Sequence, residues 1–595
     1  MSTRIKKTTL PQAQKTKDRP NQKTDQTQYS ESEEKSKLSF LPRFFADPYS
    51  FGRIEAFFSV KTMIFIFAVL FGILFFRLAT YPNYFDSCVS YSVTQAVWDV
   101  FGEIQPTSES EVTWIWTPMY QHAGGRSPVY TGLIKAGLEL FGLTLLGVRI
   151  STTILAFLSL LLLYYTLTKF FTKLFSVTFL VLFATAPWHV VMARSGSIVG
   201  FGMSLVLVAV CFTALLFAPK EGILADKRVH NLLLPIAAGV SVALLPYGHA
   251  GIRTIPIFIL LGLLIFSYKV GFKRVAVSLL AAFSVAFVQL TNLKAATAAY
   301  FNARGEDILT QAKDHSPDDI MQYIIPKITE NIKLMCDFFF GLNEPGHIFD
   351  VNIAHSYWRH DVVLFPKFLV PFLLAGIVWS LYHFFTRKKL IYLLPVLAFG
   401  ITAIPGLMSG IGAPNQARLY IMVLPTYFLI AYALYHILKV CTSKKMNKLI
   451  FIGYSVLILA TAAYQVNNFY HYEKGKYDDK TVVANHVMDY LNESWAENKD
   501  LKIIYREFPV FYVYSYVDLR WLGQENLDRQ IKDGNIILVT DQNNSDVRKM
   551  LASKEADIFI TVQDDVTADK YPEITEENYI REEQNRFVVY TAIDR

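Results

Sequence analysis

Charge is scarce in this chain. Of its 595 residues only 18% are Asp, Glu, Lys or Arg, while 52% are hydrophobic and 15% aromatic, giving a mean hydropathy of +0.29. So few charges cannot wet the surface of a soluble protein this large, which makes the bilayer the main solvent. Cysteine is scarcer: Cys88, Cys211, Cys336 and Cys441 include no CxxC pair and no Cys/His cluster of zinc spacing, so no metal site follows from them. No cleavable leader is expected either. Residues 1–58 are rich in Lys, Gln, Thr, Ser and Glu and lack both an apolar run of membrane length and a small-residue cleavage site, and they are expected to form a disordered cytoplasmic tail. Convincing internal repeats are also absent.

Long apolar runs dominate what is there. The first begins near Met63 with IFIFAVLFGILFF and, following basic residues, acts as an uncleaved signal anchor. Further runs lie near 146–168, 174–192, 198–217, 231–247, 254–268, 273–291, 364–384, 389–408, 418–439 and 448–466, predicting about eleven transmembrane helices. A net charge of +7 would suggest nucleic acid in a soluble protein. Here the cations fall in alternate short loops instead, at Lys169 and Lys173, Lys220, Lys227 and Arg228, Lys269, Lys273 and Arg274, Arg387, Lys388 and Lys389, and Lys444, Lys445 and Lys448. These loops are assigned to the cytoplasm with the N-terminus. Three polar regions then face outward, about 80–127, about 292–362 and about 467–595. The last alternates strand-like runs (LKIIY, VFYVYSYV, NIILVT, DIFITV, RFVVYTA) with helix-like stretches (VANHVMDYLNESW, DVRKMLASKEA), the pattern of a small extracytoplasmic α/β accessory domain. Cys88 and Cys336 share the outer side, open either to a disulfide or to two free thiols.

Asp86 stands just beyond the first span, ahead of a helix-like segment. Its position suits either an N-cap or a carboxylate presented to the head group of a membrane-bound substrate. From Asp86 to about Leu216 the chain resembles bacterial glycosyltransferases related to protein O-mannosyltransferases, in the GT-C superfamily of polyprenyl-phosphate-sugar enzymes. The resemblance rests on Asp86 after the first span, on RSPVYTGLIKAGLELFGLTLLGVRIST, and on APWHVVMARSG from Ala186 to Gly196. LPYGHAGIRTIPIFILLGLL and GAPNQARLYIMVLP continue it over some 350 residues. The chain departs from the family in having Asp86–Ser87 where Asp-Glu is usual, and Ser197 and Ile198 where a Glu often follows the Ser-Arg pair. That weakens a metal-bridged mechanism more than a single-base one.

The resemblance implies a GT-C-like polytopic helical fold over residues 59–466 and transfer of a hexose or pentose from a polyprenyl-phosphate donor to an extracytoplasmic protein, lipid or envelope glycan, with inversion. Polyprenyl phosphate leaves without a general acid, so the acceptor hydroxyl needs only a base, the role assigned to Asp86. Arg253 and Arg418, at outer boundaries where orientation rules ask for no positive charge, are candidates for binding the donor phosphate. The alternative for both is snorkelling or a salt bridge. His122, Arg126, Tyr130, His189, Arg194, Tyr247, His347 and Asp350 are further substrate-binding candidates. For His189, after Trp188, an interfacial anchor competes, and His122 and Arg126 sit in a Gly124–Gly125 turn. No cofactor is expected and a divalent metal is not supported.

Two other readings remain open. A transporter or lipid flippase would place ionisable groups near mid-membrane and use repeats with broken helices. A polymerase or ligase of lipid-linked glycans, or a transferase of phosphoryl-linked groups to lipids, would be separated from a monosaccharide transferase by the product formed.

Overall fold

The computed structural model describes residues 58–79, 128–142, 145–248, 252, 255–290, 320–340, 365–408, 419–442, 447–471, 502–506, 536–538, 544–562, 571–575, 577–584 and 587–593. Every one of the eleven expected apolar runs carries a helix. In chain order these are α1 (Val60–Phe75), then, after α2 (Pro128–Phe141), α3 (Leu145–Phe170), α4 (Lys173–Thr185) with α5 (Pro187–Arg194), α6 (Ile198–Leu215), α7 (Leu234–Leu244), α8 (Ile255–Ile265) and α9 (Phe272–Leu290). After α10 (Ile320–Phe340) come α11 (Val370–Arg387), α12 (Leu394–Leu407), α13 (Val423–Thr442) and α14 (Asn447–His471).

Among the described residues, six stretches are long and apolar enough to cross a bilayer: Leu146–Phe170, Ile198–Leu215, Val229–Tyr247, Lys367–Arg387, Tyr420–Cys441 and Leu449–Tyr470. A seventh is the pair α4 and α5, bent by 64°, while α1, α8 and α12 are shorter apolar helices. The chain is thus a multi-pass membrane protein. Its lipid-facing surface is apolar, as at Phe65, Leu158, Phe272, Val378 and Leu459, all more than half or close to half exposed and with no water required around them.

The 174–192 run is therefore broken and not one straight span. Pro187 lacks an N–H and its ring disfavours helical geometry at the residue before it; Ala186 accordingly sits at φ −54°, ψ 128° and α5 restarts with Pro187 in its first turn. Helix α10 lies within the stretch read as the 292–362 outer loop. Its sequence IMQYIIPKITENIKLMCDFFF mixes charges too evenly to look like a span, but Asn331 Nδ2 donates to Leu407 O (2.8 Å) and Phe339 packs on Phe365 and Phe399, docking the helix on α12. Cys336 on this helix is a free thiol.

Without a hydrophobic drive between helices in lipid, close packing of small residues holds the bundle together. Gly376 of α11 is one such point: a Cβ there would stand 2.2 Å from Leu429 O of α13.

Among the described C-terminal residues, five strands form a sheet of order β2-β1-β3-β5-β4, from β1 (Ile503–Arg506), β2 (Ile536–Leu538), β3 (Ile558–Val562), β4 (Tyr579–Gln584) and β5 (Phe587–Ala592). β1 pairs in parallel with β2 and β3, whereas β5 is antiparallel to β3 and β4. Helix α15 (Asn544–Ala552) buries Val547 and Leu551 among Phe559, Tyr571, Tyr579, Val588 and Tyr590. Four expected strands and one expected helix are present; VFYVYSYV and VANHVMDYLNESW lie outside the described residues.

Gly376→Ala should lower the unfolding free energy by about 1–3 kcal/mol, because backbone must shift to admit the methyl. Gly453→Ala, with nothing within 4 Å of its Cβ position, should be neutral or stabilising by up to ~1 kcal/mol. Thermal unfolding in detergent compares the two; equal losses would contradict the packing described.

Candidate functional site

The break at Pro187 leaves carbonyls that a continuous helix would have satisfied, and in hydrocarbon each must find a donor. His189 meets this need. Its Nδ1 lies 3.3 Å from Ala184 O, and its ring packs on Phe183 with centroids 4.5 Å apart. Trp188 and His189 are each only 2% exposed, so they do not form a lipid-facing aromatic anchor. Every residue of α5 is buried, packed against α1, α3, α6 and α14. Helix α6 approaches so closely that a Cβ on Gly200 would lie 1.9 Å from Met192 O.

Arg194 ends α5 and reaches the C-terminus of α1, where the last carbonyls have no intrahelical partner. Its Nη1 donates to Ile73 O (2.8 Å) and Leu74 O (3.0 Å), and its Nη2 to Phe76 O (2.7 Å). Tyr470 of α14 joins them: its hydroxyl accepts from Arg194 Nη1 (2.6 Å) and donates to Ile73 O (2.7 Å). The guanidinium also lies 5.5 Å from the Phe469 ring and 5.3 Å from the Tyr470 ring, adding cation–π attraction. Arg149 of α3, 2% exposed, donates from Nη1 to Leu78 O (3.0 Å). Two arginines thus hold the first span where it ends, and residue 80, the first of the polar region that contains Asp86, follows directly.

The turn after α5 is built to the same plan. Gly196 has φ +70°, and a Cβ there would meet Arg149 Cγ and Val148 O at 3.2 Å, so both conformation and space call for glycine. Ser195 Oγ donates to Ser197 Oγ (2.7 Å), whose oxygen accepts from Gly200 N (3.2 Å) and caps α6. The Tyr130 hydroxyl of α2 donates to Gly196 O, and its ring lies 5.6 Å from that of Phe201. Thr153 Oγ1 sits 3.1 Å from Ala193 O. The Leu245–Tyr247 turn packs against α2 and α6, with Gly248 close to Gly202, and Tyr247 is 4% exposed.

Stretches around residues 130, 149, 187–197 and 247 therefore converge on one end of the bundle. Tyr130, His189, Arg194 and Tyr247, expected as substrate contacts, are all buried there; Tyr130, His189 and Arg194 bond to backbone. What sequence reasoning missed is Arg149 and Tyr470. Arg149 lies within the family-like RSPVYTGLIKAGLELFGLTLLGVRIST segment, and Tyr470 has no signal beyond its place at the last span's end. Trp188 also meets Phe338 of α10 at 5.7 Å, while Lys367 caps that helix through Asp337 O (3.2 Å) and Phe338 O. The chain then runs on toward His347 and Asp350. Asp86, His122, Arg126, Arg253, Arg418, His347 and Asp350 lie outside the described residues. Arg253 follows Ile252, which is buried and reaches Gly248, and Arg418 precedes Leu419, which is buried against Gly406. Among the described residues, no three His, Cys, Asp or Glu side chains gather as a metal site.

No protein-family model matches the sequence, and no curated protein matches it. Solved structures do. ArnT from Cupriavidus metallidurans in its apo state is similar with a TM-score of 0.50 and 13% identity, over 90% of this chain and 98% of that one. The same protein bound to undecaprenyl phosphate gives 0.47, 12%, 90% and 99%. The oligosaccharyltransferase of Archaeoglobus fulgidus, in complex with Zn and sulfate, gives 0.48, 13%, 89% and 73%. The likeness to apo ArnT shows a shared fold along nearly the whole of both chains, consistent with the polytopic helical architecture expected above.

Arg194→Met should cost about 2–5 kcal/mol, since it strands buried carbonyls, and Tyr470→Phe about 1 kcal/mol. Because both groups bond to Ile73 O, a double-mutant cycle read by thermal unfolding should show coupling of at least ~0.5 kcal/mol. Strict additivity would separate them.

Proposed function

We propose that this chain is a membrane glycosyltransferase that moves a sugar from a polyprenyl-phosphate donor to an extracytoplasmic acceptor. One observation carries the reading: stretches scattered from Tyr130 to Tyr247, each similar to a segment of lipid-phosphate-sugar transferases, come together at the end of α6 where the first span terminates. The ArnT-like fold supports it. Undecaprenyl phosphate, which ArnT binds, exemplifies the carrier class.

Asp86 follows Leu78 by eight residues, which limits their separation to about 28 Å in a fully extended chain. It takes the proton from the acceptor hydroxyl as that oxygen attacks the anomeric carbon. The bond from that carbon to the phosphate oxygen breaks, its electron pair leaves with the polyprenyl phosphate, and configuration inverts. Arg253 and Arg418 receive the released phosphate, their planar forks holding two oxygens without risk of losing charge. In sequence, Arg253 comes six residues after the Leu245–Tyr247 turn and Arg418 two residues before Tyr420–Met422, and both turns pack on α6. His122, Arg126, His347 and Asp350 line the sugar and acceptor side, whereas Tyr130, His189, Arg194 and Tyr247 support the wall behind them. Residues 1–58 are cytoplasmic, and residues 467–595 form an extracytoplasmic domain that contributes to acceptor choice.

A transporter calls for ionisable groups deep in the membrane. Among the described residues, the paired His230 and Arg274 (2.5 Å) and His383, bonded to Tyr432 (2.7 Å), lie within about a turn of helix ends at the basic loops. Nothing in that arrangement favours the transporter.

With membranes and radiolabelled polyprenyl-phosphate sugars, Asp86→Asn should lower transfer by about 10²-fold or more at normal abundance and insertion. Arg253→Gln and Arg418→Gln should each raise the apparent KM for donor about tenfold or more, the loss of one charge-assisted contact. Undiminished transfer by the Asp86 variant would remove it from the mechanism.

A further inference from the structure

An apolar groove lies at the opposite, basic end of the bundle, away from the proposed transfer site. Val60, Met63, Ile64, Phe67, Ala68 and Phe71 recur at helical spacing along one stripe of α1. Facing them across a groove of about 720 Å³ are Phe157, Leu161 and Tyr164 of α3, with Phe58 and Lys173 closing its basic end. The volume is that of a small-ligand site. Rings fix the floor, since Phe157 meets Phe67 edge-on at 6.2 Å and Phe71 at 5.4 Å, and Tyr164 meets Phe67 at 5.7 Å. The mouth is open to the bilayer, with Val60 76% and Ile64 64% exposed.

Its dimensions and polarity point to an occupant. From Val60 to Phe71 is eleven residues, about 16 Å of helix, or close to half of the ~30 Å hydrocarbon thickness. That is the depth of one leaflet. Among the described residues, no carboxylate lines the groove and Lys173, whose Nζ lies 3.5 Å from Phe58 O, is its one charged lining residue. Lys61, exposed in the first turn of α1, and Lys169, in the last turn of α3, add positive charge at the same end. Lysines at the membrane surface attract anionic head groups over zwitterionic ones.

We propose that this groove is a binding site for an anionic phospholipid of the leaflet on the basic side, one acyl chain lying along α1 and the head group held by Lys173. The lipid then lies along the groove-facing stripe of α1, on the same helix whose other end Arg194 and Arg149 hold.

Full-length protein, stripped of lipid in detergent, can be titrated with phosphatidylglycerol and with phosphatidylcholine of identical chains, and bound lipid counted by native mass spectrometry. Phosphatidylglycerol should bind at least fivefold more tightly. Ala68→Trp, which fills the groove, should weaken that binding at least fivefold, and Lys173→Gln should bring phosphatidylglycerol down to the level of phosphatidylcholine while leaving the latter unchanged. Should Ala68→Trp fail to fold, the lysine variant decides alone. Equal affinities in the wild type, phosphatidylglycerol binding undiminished in a folded Ala68→Trp or in Lys173→Gln, or stronger binding once residues 1–57 are deleted, marking that segment as the occupant, would each overturn the proposal.

Discussion

Backbone polar groups in hydrocarbon must be satisfied from within the protein, and the arrangement around α5 follows from that constraint. Pro187 interrupts a span, so His189 turns to Ala184 O. The first span ends inside the bundle, so Arg194, Arg149 and Tyr470 supply donors to its last carbonyls. A guanidinium is suited to this work because one side chain serves three carbonyls and keeps its charge at any relevant pH. Burying such a cation without those bonds would cost several kcal/mol. The capping and the burial therefore depend on each other, and the point where the chain leaves the membrane is fixed as a consequence.

The two ends of the bundle are built differently. At one, buried arginines, tyrosines and serines converge on Gly196 and on the terminus of α1. At the other, cations sit at or beside short loops: Arg274 donates to Leu216 O at the end of α6 (3.2 Å), Lys173 lies near Phe58 O, and Arg387 donates to the Tyr392 hydroxyl (2.7 Å). A polar seam joins the ends through the interior. Thr178 bonds to Tyr454 (2.6 Å), and Thr185 to Gln465 (2.8 Å), which in turn donates to Tyr427 (2.6 Å). This seam holds α14 in register with the broken span, so that Tyr470 arrives beside Arg194.

Much of the architecture was legible in the sequence because hydrocarbon thickness sets helix length, and eleven apolar runs gave eleven helical positions. The 64° bend was written at Pro187, yet an apolar run hides it, since hydropathy is blind to direction. Helix α10 escaped because it is docked by Asn331 and a patch of phenylalanines and not by continuous apolarity. In the sheet, Ile558–Val562 and Phe587–Ala592 read as strands from their β-branched and aromatic runs. Tyr579–Gln584 did not, because an edge strand carrying Arg581, Glu582 and Glu583 has the charges that keep edges from pairing with other chains. For the site, residue types pointed to the right neighbourhood, but not to their partners: Arg194 and Tyr130 look like ligand contacts until their carbonyl acceptors are seen. Backbone acceptors carry no signature in sequence.

Sugar transfer from a lipid phosphate is the reaction on which the proposed residue roles depend. Its most direct measurement is the product balance and stereochemistry of a single reaction by purified protein, with polyprenyl phosphate quantified by mass spectrometry and the anomeric configuration of the new linkage read by NMR. One polyprenyl phosphate released per sugar transferred, with the configuration inverted, is the predicted result. Retention of configuration, or glycosylation of the acceptor without release of the lipid phosphate, would contradict it.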